Sequence, residues 1–122
     1  MLEEAIKQFL MLCQQDPVLV EFAQKRSIST QFVIPDRNLE FTLAFGDGEV
    51  KTHQGAPEQP VDFTVKMDEK TFTLVMTGKM DATTAAMSGR IQYKGNISKG
   101  MLLQRLIKDM IRLYIQVSTQ NG

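Results

Sequence analysis

The chain has 122 residues and 13.8 kDa, the size of one domain spanning 1–122, and its fourteen basic and fourteen acidic side chains cancel to zero formal charge. That balance argues against nucleic acid as a partner, and 43% apolar residues argue against disorder. One Cys and one His exclude an internal disulfide framework and a common structural zinc site, so neither metal nor cofactor is expected. What stands out is eight Met and seven Phe with no Trp.

Residues 2 to 13 place Leu2, Ala5, Ile6, Phe9, Leu12 and Cys13 at three- and four-residue spacing, which predicts a helix with one apolar face. Its opening, Met1-Leu2-Glu3-Glu4, is acidic where a secretory signal is basic. Asp16-Pro17 then ends this helix and starts a second through about Lys25, with Asp16 as N-cap and Pro17 at the first helical position. From Gln31 the period changes to two. Gln31–Ile34 reads as a strand, and Leu39, Phe41, Leu43 and Phe45 alternate with polar or small residues up to the Gly46-Asp47-Gly48 turn. A hairpin with Glu49–Gln54 follows, and two prolines keep residues 55–60 out of any sheet interior.

Val61, Phe63, Val65 and Met67 share one face of the next strand. Asp68 caps a short helix ended by Gly78, and Asp81 caps another running through Met87. A strand at Arg90–Lys94, with Ile91 and Tyr93 inward, is broken by Gly95-Asn96. The rest, about Ser98–Val117, reads as one long helix whose apolar arc is wider than a single core contact requires. Strands clustered between helices imply an α+β, two-layer domain with a mostly antiparallel sheet covered on one face by helices. No apolar run approaches the roughly 20 residues of a membrane-spanning helix.

Support for catalysis is weak. His53 reads as a strand histidine rather than a general base, and Cys13 as a small buried hydrophobe. Glu3-Glu4 and Asp68-Glu69 suit acidic first turns of helices, and Gly46-x-Gly48 lacks the Lys and the following helix of a phosphate loop. Charge distribution says more. Residues 1–78 hold seven basic against twelve acidic side chains, and residues 79–122 seven against two. Lys79, Arg90, Lys94, Lys99, Arg105, Lys108 and Arg112 therefore surround the apolar C-terminal segment, a pattern that suits transient contact with an anionic membrane surface or, more simply, a solvated face. Six of the methionines, Met67, Met76, Met80, Met87, Met101 and Met110, fall in the second half of the chain. Flexible side chains of this kind suit either a core or the wall of a pocket.

Asp62-Phe63-Thr64-Val65, Met76-Thr77-Gly78-Lys79-Met80, the run from Ala85 to Ile91 (Ala-Ala-Met-Ser-Gly-Arg-Ile) and the Gly95-Asn96 turn before an apolar helix carry a resemblance. The stretch resembles the sterol carrier protein type 2 domain family of small lipid-binding domains, and with the upstream hairpin the likeness covers about residues 30–112. The resemblance implies a five-stranded sheet covered on one face by helices, an apolar tunnel between the layers and no catalytic residues. It implies binding or transfer of fatty acids, acyl-CoA, sterol-like or other lipids. Carried onto this chain, the tunnel wall would involve Phe41, Leu43, Phe72, Val75, Met76, Met80 and Met87, closed by Met101, Leu102, Leu106 and Met110. Thr119-Gln120-Asn121-Gly122 is not the peroxisomal tripeptide of eukaryotic members, so a cytoplasmic protein is expected.

An empty tunnel of about 400 Å³ would cost about 10 kcal/mol at roughly 24 cal/mol per Å³, comparable with a domain's whole stability. The tunnel is therefore expected to be filled, solvated or partly collapsed by methionine rotamers. The alternative function is an accessory interaction module, for example in lipid or quinone biosynthesis, whose apolar C-terminal helix docks on a partner or forms a homodimer.

Overall fold

The computed structural model describes residues 2–121. Eleven regular elements follow one another: α1 (Leu2–Gln15), α2 (Pro17–Lys25), β1 (Ile28–Ile34), β2 (Leu39–Gly46), β3 (Glu49–Gln54), β4 (Phe63–Lys66), α3 (Glu69–Met76), α4 (Ala82–Met87), β5 (Gln92–Gly95), α5 (Ile97–Gln104) and α6 (Ile107–Asn121). A 3-10 turn at Pro35–Arg37 joins β1 to β2. The sheet runs β3-β2-β1-β4-β5, antiparallel except for the parallel β1–β4 pair. This is the expected α+β architecture with a mostly antiparallel five-stranded sheet.

Local chemistry accounts for most boundaries. Asp16 accepts a hydrogen bond from the Leu19 amide at 3.2 Å, Asp68 from Thr71 at 2.8 Å, and Asp81 from Thr84 at 3.0 Å, so each satisfies an amide that the first helical turn leaves open. Asp47 and Gly48 both have positive φ, 53° and 76°, as a two-residue hairpin turn requires. The resulting register opposes Phe41 to Phe32 and Phe32 to Val65, and the Phe32 and Phe41 rings stack at 5.0 Å. Alternation puts Ile28, Phe32, Phe41, Leu43, Phe45, Phe63 and Val65 in the core.

The opposite sheet face is polar, with the Gln31 amide donating to Glu40 at 2.6 Å and the Thr64 hydroxyl donating to Gln31 at 3.2 Å. His53 stands on this face beside Glu58, 3.4 Å from its carboxylate. Asp62 accepts from the Ser29 amide at 2.9 Å and ties the start of β4 to β1.

Several sequence expectations are corrected. The first strand starts at Ile28 rather than Gln31, and the strands expected from Val61 and Arg90 start at Phe63 and Gln92. The C-terminal helix is two helices, because Arg105 and Leu106 donate to carbonyls three residues back, at 3.2 and 2.9 Å, and tighten the chain into a bend. No Gly or Pro marks that bend. It lets α5 lie on β1 and β4 while α6 packs on α1 and α3. Most of the wide apolar arc is thereby buried within the chain: Met110, Leu113, Tyr114 and Val117 are buried, and the Tyr114 ring meets Phe9 of α1 and Phe72 of α3 edge-on, while Met101 and Ile115 stay exposed.

Arg112 of α6 reaches both oxygens of buried Asp16 at 3.0 Å, locking α6 to the start of α2. Arg37 pairs with Glu3 and Glu69, each at 3.0 Å. Among the described residues, no helix is long and apolar enough to cross a membrane.

Candidate functional site

The site lies where α5 and the start of α6 cover the β4–β5 edge of the sheet. Two glycines set this seam. A side chain at Gly95, whose φ is 119°, would overlap the Asp62 carbonyl, so only glycine lets β5 pass this close before Asn96 caps α5. Gly100 lies directly over Phe63: a Cβ there would stand 2.5 Å from two ring carbons. Phe63 in turn stacks on Tyr93 at 5.3 Å.

Three spaces meet at this seam. A void of about 40 Å³ between the layers is lined by Phe32, Val65, Met76, Leu103 and Met110 among others. An apolar cleft of about 340 Å³ opens between β5 and α5, walled by Phe63, Ile97, Met101 and Leu103. A second cleft, about 540 Å³, opens towards α4 beside Met80, Asp81 and Lys108. Tyr93 and Ile107 border all three. The space between the layers measures about 40 Å³, room for about a water or two, and an open tunnel of the expected 400 Å³ is not seen among the described residues. At roughly 24 cal/mol per Å³ the remaining void costs about 1 kcal/mol, which a small domain tolerates. Met67, Met76 and Met110 all border the void.

The residues expected to line a tunnel separate into groups. Val75, Met76 and Met110 border the void, Met80 the α4-side cleft and Met101 the β5–α5 cleft. Leu43, Phe72 and Leu106 are buried without bordering any of the three spaces. Phe41 is buried too, and borders a separate depression beside Glu3 and Gln54. Leu102 is half-buried, and Met87 is 85% exposed at the end of α4. Sequence reasoning left out Phe63, Tyr93, Ile97, Leu103, Gln104 and Ile107. Period two did put Tyr93 inward, opposite Val65, but the residue is 44% exposed where it borders the cleft. That partial burial raises the phenol above its ordinary value.

Chemically the seam offers apolar walls and few polar groups. Cys13 lies away from it under α1, and burial, reinforced by the Asp16 carboxylate, pushes its thiol up to about 12. No group of three or more His, Cys, Asp or Glu side chains suited to a metal ion occurs among the described residues.

Helices laid over one face of a five-stranded sheet, with apolar spaces opening at the seam, define a sterol-carrier-type α+β domain. The chain belongs to the SCP-2 sterol transfer family, whose model matches residues 6–108. The mouse peroxisomal multifunctional enzyme type 2 is 37% identical over 71 residues, which is 58% of this chain but 9% of that enzyme, so the likeness concerns a small part of it. Among solved structures, the crystal structure of sterol carrier protein 2 superposes with a TM-score of 0.71 at 15% identity, covering 92% of this chain and 94% of that one. The palmitated SCP2L2 of Aedes aegypti superposes with a TM-score of 0.63 at 17% identity, covering 88% and 92%.

Proposed function

We propose that this protein is a non-enzymatic binder or carrier of hydrophobic molecules with a flexible aliphatic part, such as a fatty acid or an acyl-CoA. The observation that carries the reading is the convergence of an apolar cleft, a second cleft and an interior void on Tyr93 and Ile107. The β5–α5 cleft falls within the usual range of ligand pockets, and its walls are mostly apolar. A chain entering beside Phe63 and Met101 would push α5 or the methionine side chains aside and extend into the void among Val75, Met76 and Met110. Methionine suits that role because it repacks at little cost. Membership of a sterol transfer family and the palmitated mosquito neighbour are consistent with such a ligand.

Native mass spectrometry and solvent extraction of the purified protein test the reading. Co-bound lipid, or a rise in melting temperature on adding palmitate or palmitoyl-CoA, is the expected result. Bare protein with no thermal shift would overturn it.

A further inference from the structure

We propose that Met101 is an oxidation site through which a peroxide switches off ligand binding at the β5–α5 cleft. The inference rests on that cleft being where the ligand enters.

The methionines divide by access. Met67, Met76 and Met110 are buried, whereas Met11, Met87 and Met101 are 55%, 85% and 63% exposed. Met80 is partly buried in the α4-side cleft. An exposed thioether meets an oxidant freely, and a buried one only when the fold opens. Of the three exposed methionines, Met11 and Met87 border neither cleft nor the void, so Met101 alone combines access with a place on the wall of the site. The residue before it explains that place. Gly100 rests on the Phe63 ring and brings α5 against β4, and the next side chain, Met101, borders the cleft while staying open to solvent.

The step is a two-electron transfer. A sulfur lone pair attacks one oxygen of hydrogen peroxide; the O–O bond breaks as an S–O bond forms, and both protons leave with the second oxygen as water. Sulfur is oxidised to the sulfoxide and the peroxide is reduced, with no change in charge. The product is a polar side chain in an apolar wall. A ligand chain lying over it must strip water from the new oxygen, and Phe63, Ile97 and Leu103 on the same wall return no side-chain hydrogen bond. Tyr93, Lys94 and Gln104 also border the cleft but are exposed, so a bond to one of them replaces bonds to water and recovers little. An acceptor stripped in this way weakens binding by about ten-fold. Occupancy acts in the other direction: a bound chain covers the sulfur, so with ligand at about ten times its Kd only about a tenth of the molecules present Met101 to the oxidant.

Hydrogen peroxide treatment of the full chain, with peptide mass mapping of every methionine, tests the proposal; palmitate is the probe, because peroxide leaves its saturated chain alone. Sulfoxide should form first at Met11, Met87 and Met101 while Met67, Met76 and Met110 stay reduced. Saturating palmitate should slow oxidation about ten-fold at Met101 and leave Met11 and Met87 unaffected. The oxidised protein should bind palmitate about ten-fold more weakly, and methionine sulfoxide reductase should restore the affinity. Met101→Leu, referred to its own affinity before treatment, should be unmoved by peroxide, whereas Met11→Leu/Met87→Leu should lose affinity as the parent does.

Oxidised parent that binds palmitate undiminished overturns the proposal, as does an equal loss in Met101→Leu, or Met101 oxidation that palmitate does not slow. Parent protein that binds palmitate but is insensitive to peroxide overturns the switch alone. Parent protein that binds no palmitate before treatment overturns the carrier reading and the switch with it.

Discussion

Ile107 is the position at which the ligand reading is most exposed to test, because it borders the interior void and both clefts and is only half-buried. Ile107→Ala merges the three spaces. A fully buried Ile→Ala change costs about 2–5 kcal/mol, so a half-buried one should cost about 1–2 kcal/mol. In a domain of this size that lowers the melting temperature by about 3–10 °C. A ligand refilling the enlarged space recovers the lost contacts, so affinity should rise. A ten-fold gain adds about 1.4 kcal/mol to the stabilisation seen at saturating ligand.

Ile107→Trp should do the reverse. The indole has the two clefts to occupy, so stability should change by less than about 1 kcal/mol, while palmitate uptake falls at least ten-fold. Urea denaturation with and without palmitate, together with displacement of a fluorescent fatty acid, measures both effects. If the Ala variant is destabilised as calculated yet both variants bind like the parent, the ligand does not enter at this seam and the reasoning fails.

Gly100→Ala should be destabilising by about 1–2 kcal/mol, since the new methyl must displace the Phe63 ring while helix propensity returns only about 1 kcal/mol; a variant more stable than the parent in urea would contradict the close approach. Arg112→Met leaves Asp16, 7% exposed, without its cation. Because Arg112 itself is 42% exposed, the cost should fall between the figures for surface and buried pairs, at about 2 kcal/mol by urea denaturation, and a loss under about 0.5 kcal/mol would mean that water replaces the guanidinium.

Hydrogen bonds from Thr71 hold the Asp68 carboxyl below its ordinary value, so the folded state binds this proton less readily than the unfolded chain does. Its contribution is therefore complete above the unfolded value of about 4 and is lost as pH falls through the lower folded value. Asp68→Asn, which keeps an acceptor but cannot titrate, should lose less stability than the parent in melts below pH 4, and Asp68→Ala should cost about 1 kcal/mol at pH 7. Parallel acid profiles for the Asp68→Asn variant and the parent would refute the assignment.

What the chain determined by itself was local. Period-two alternation identified the strands and the buried faces of β2 and β4, Asp16, Asp68 and Asp81 marked three helix starts, and Gly46-Asp47-Gly48 marked the hairpin, because each depends on neighbours within a few residues. The spacing of Gly78, Gly89 and Gly95 was legible as a family pattern, while the physical need at Gly95, the approach of the Asp62 carbonyl, appears only when β4 and β5 are paired. The strand order with its parallel β1–β4 pair, the bend at Arg105-Leu106 and the burial of the α6 arc against α1 depend on contacts between distant segments.

The same holds for the methionines. Composition put six in one half of the chain, but only tertiary packing sent Met67, Met76 and Met110 inward and left Met87 and Met101 in solvent. A helical period specifies which residues share a face; what that face meets, and whether the space between the layers stays open, is decided by how tightly every layer packs on the others.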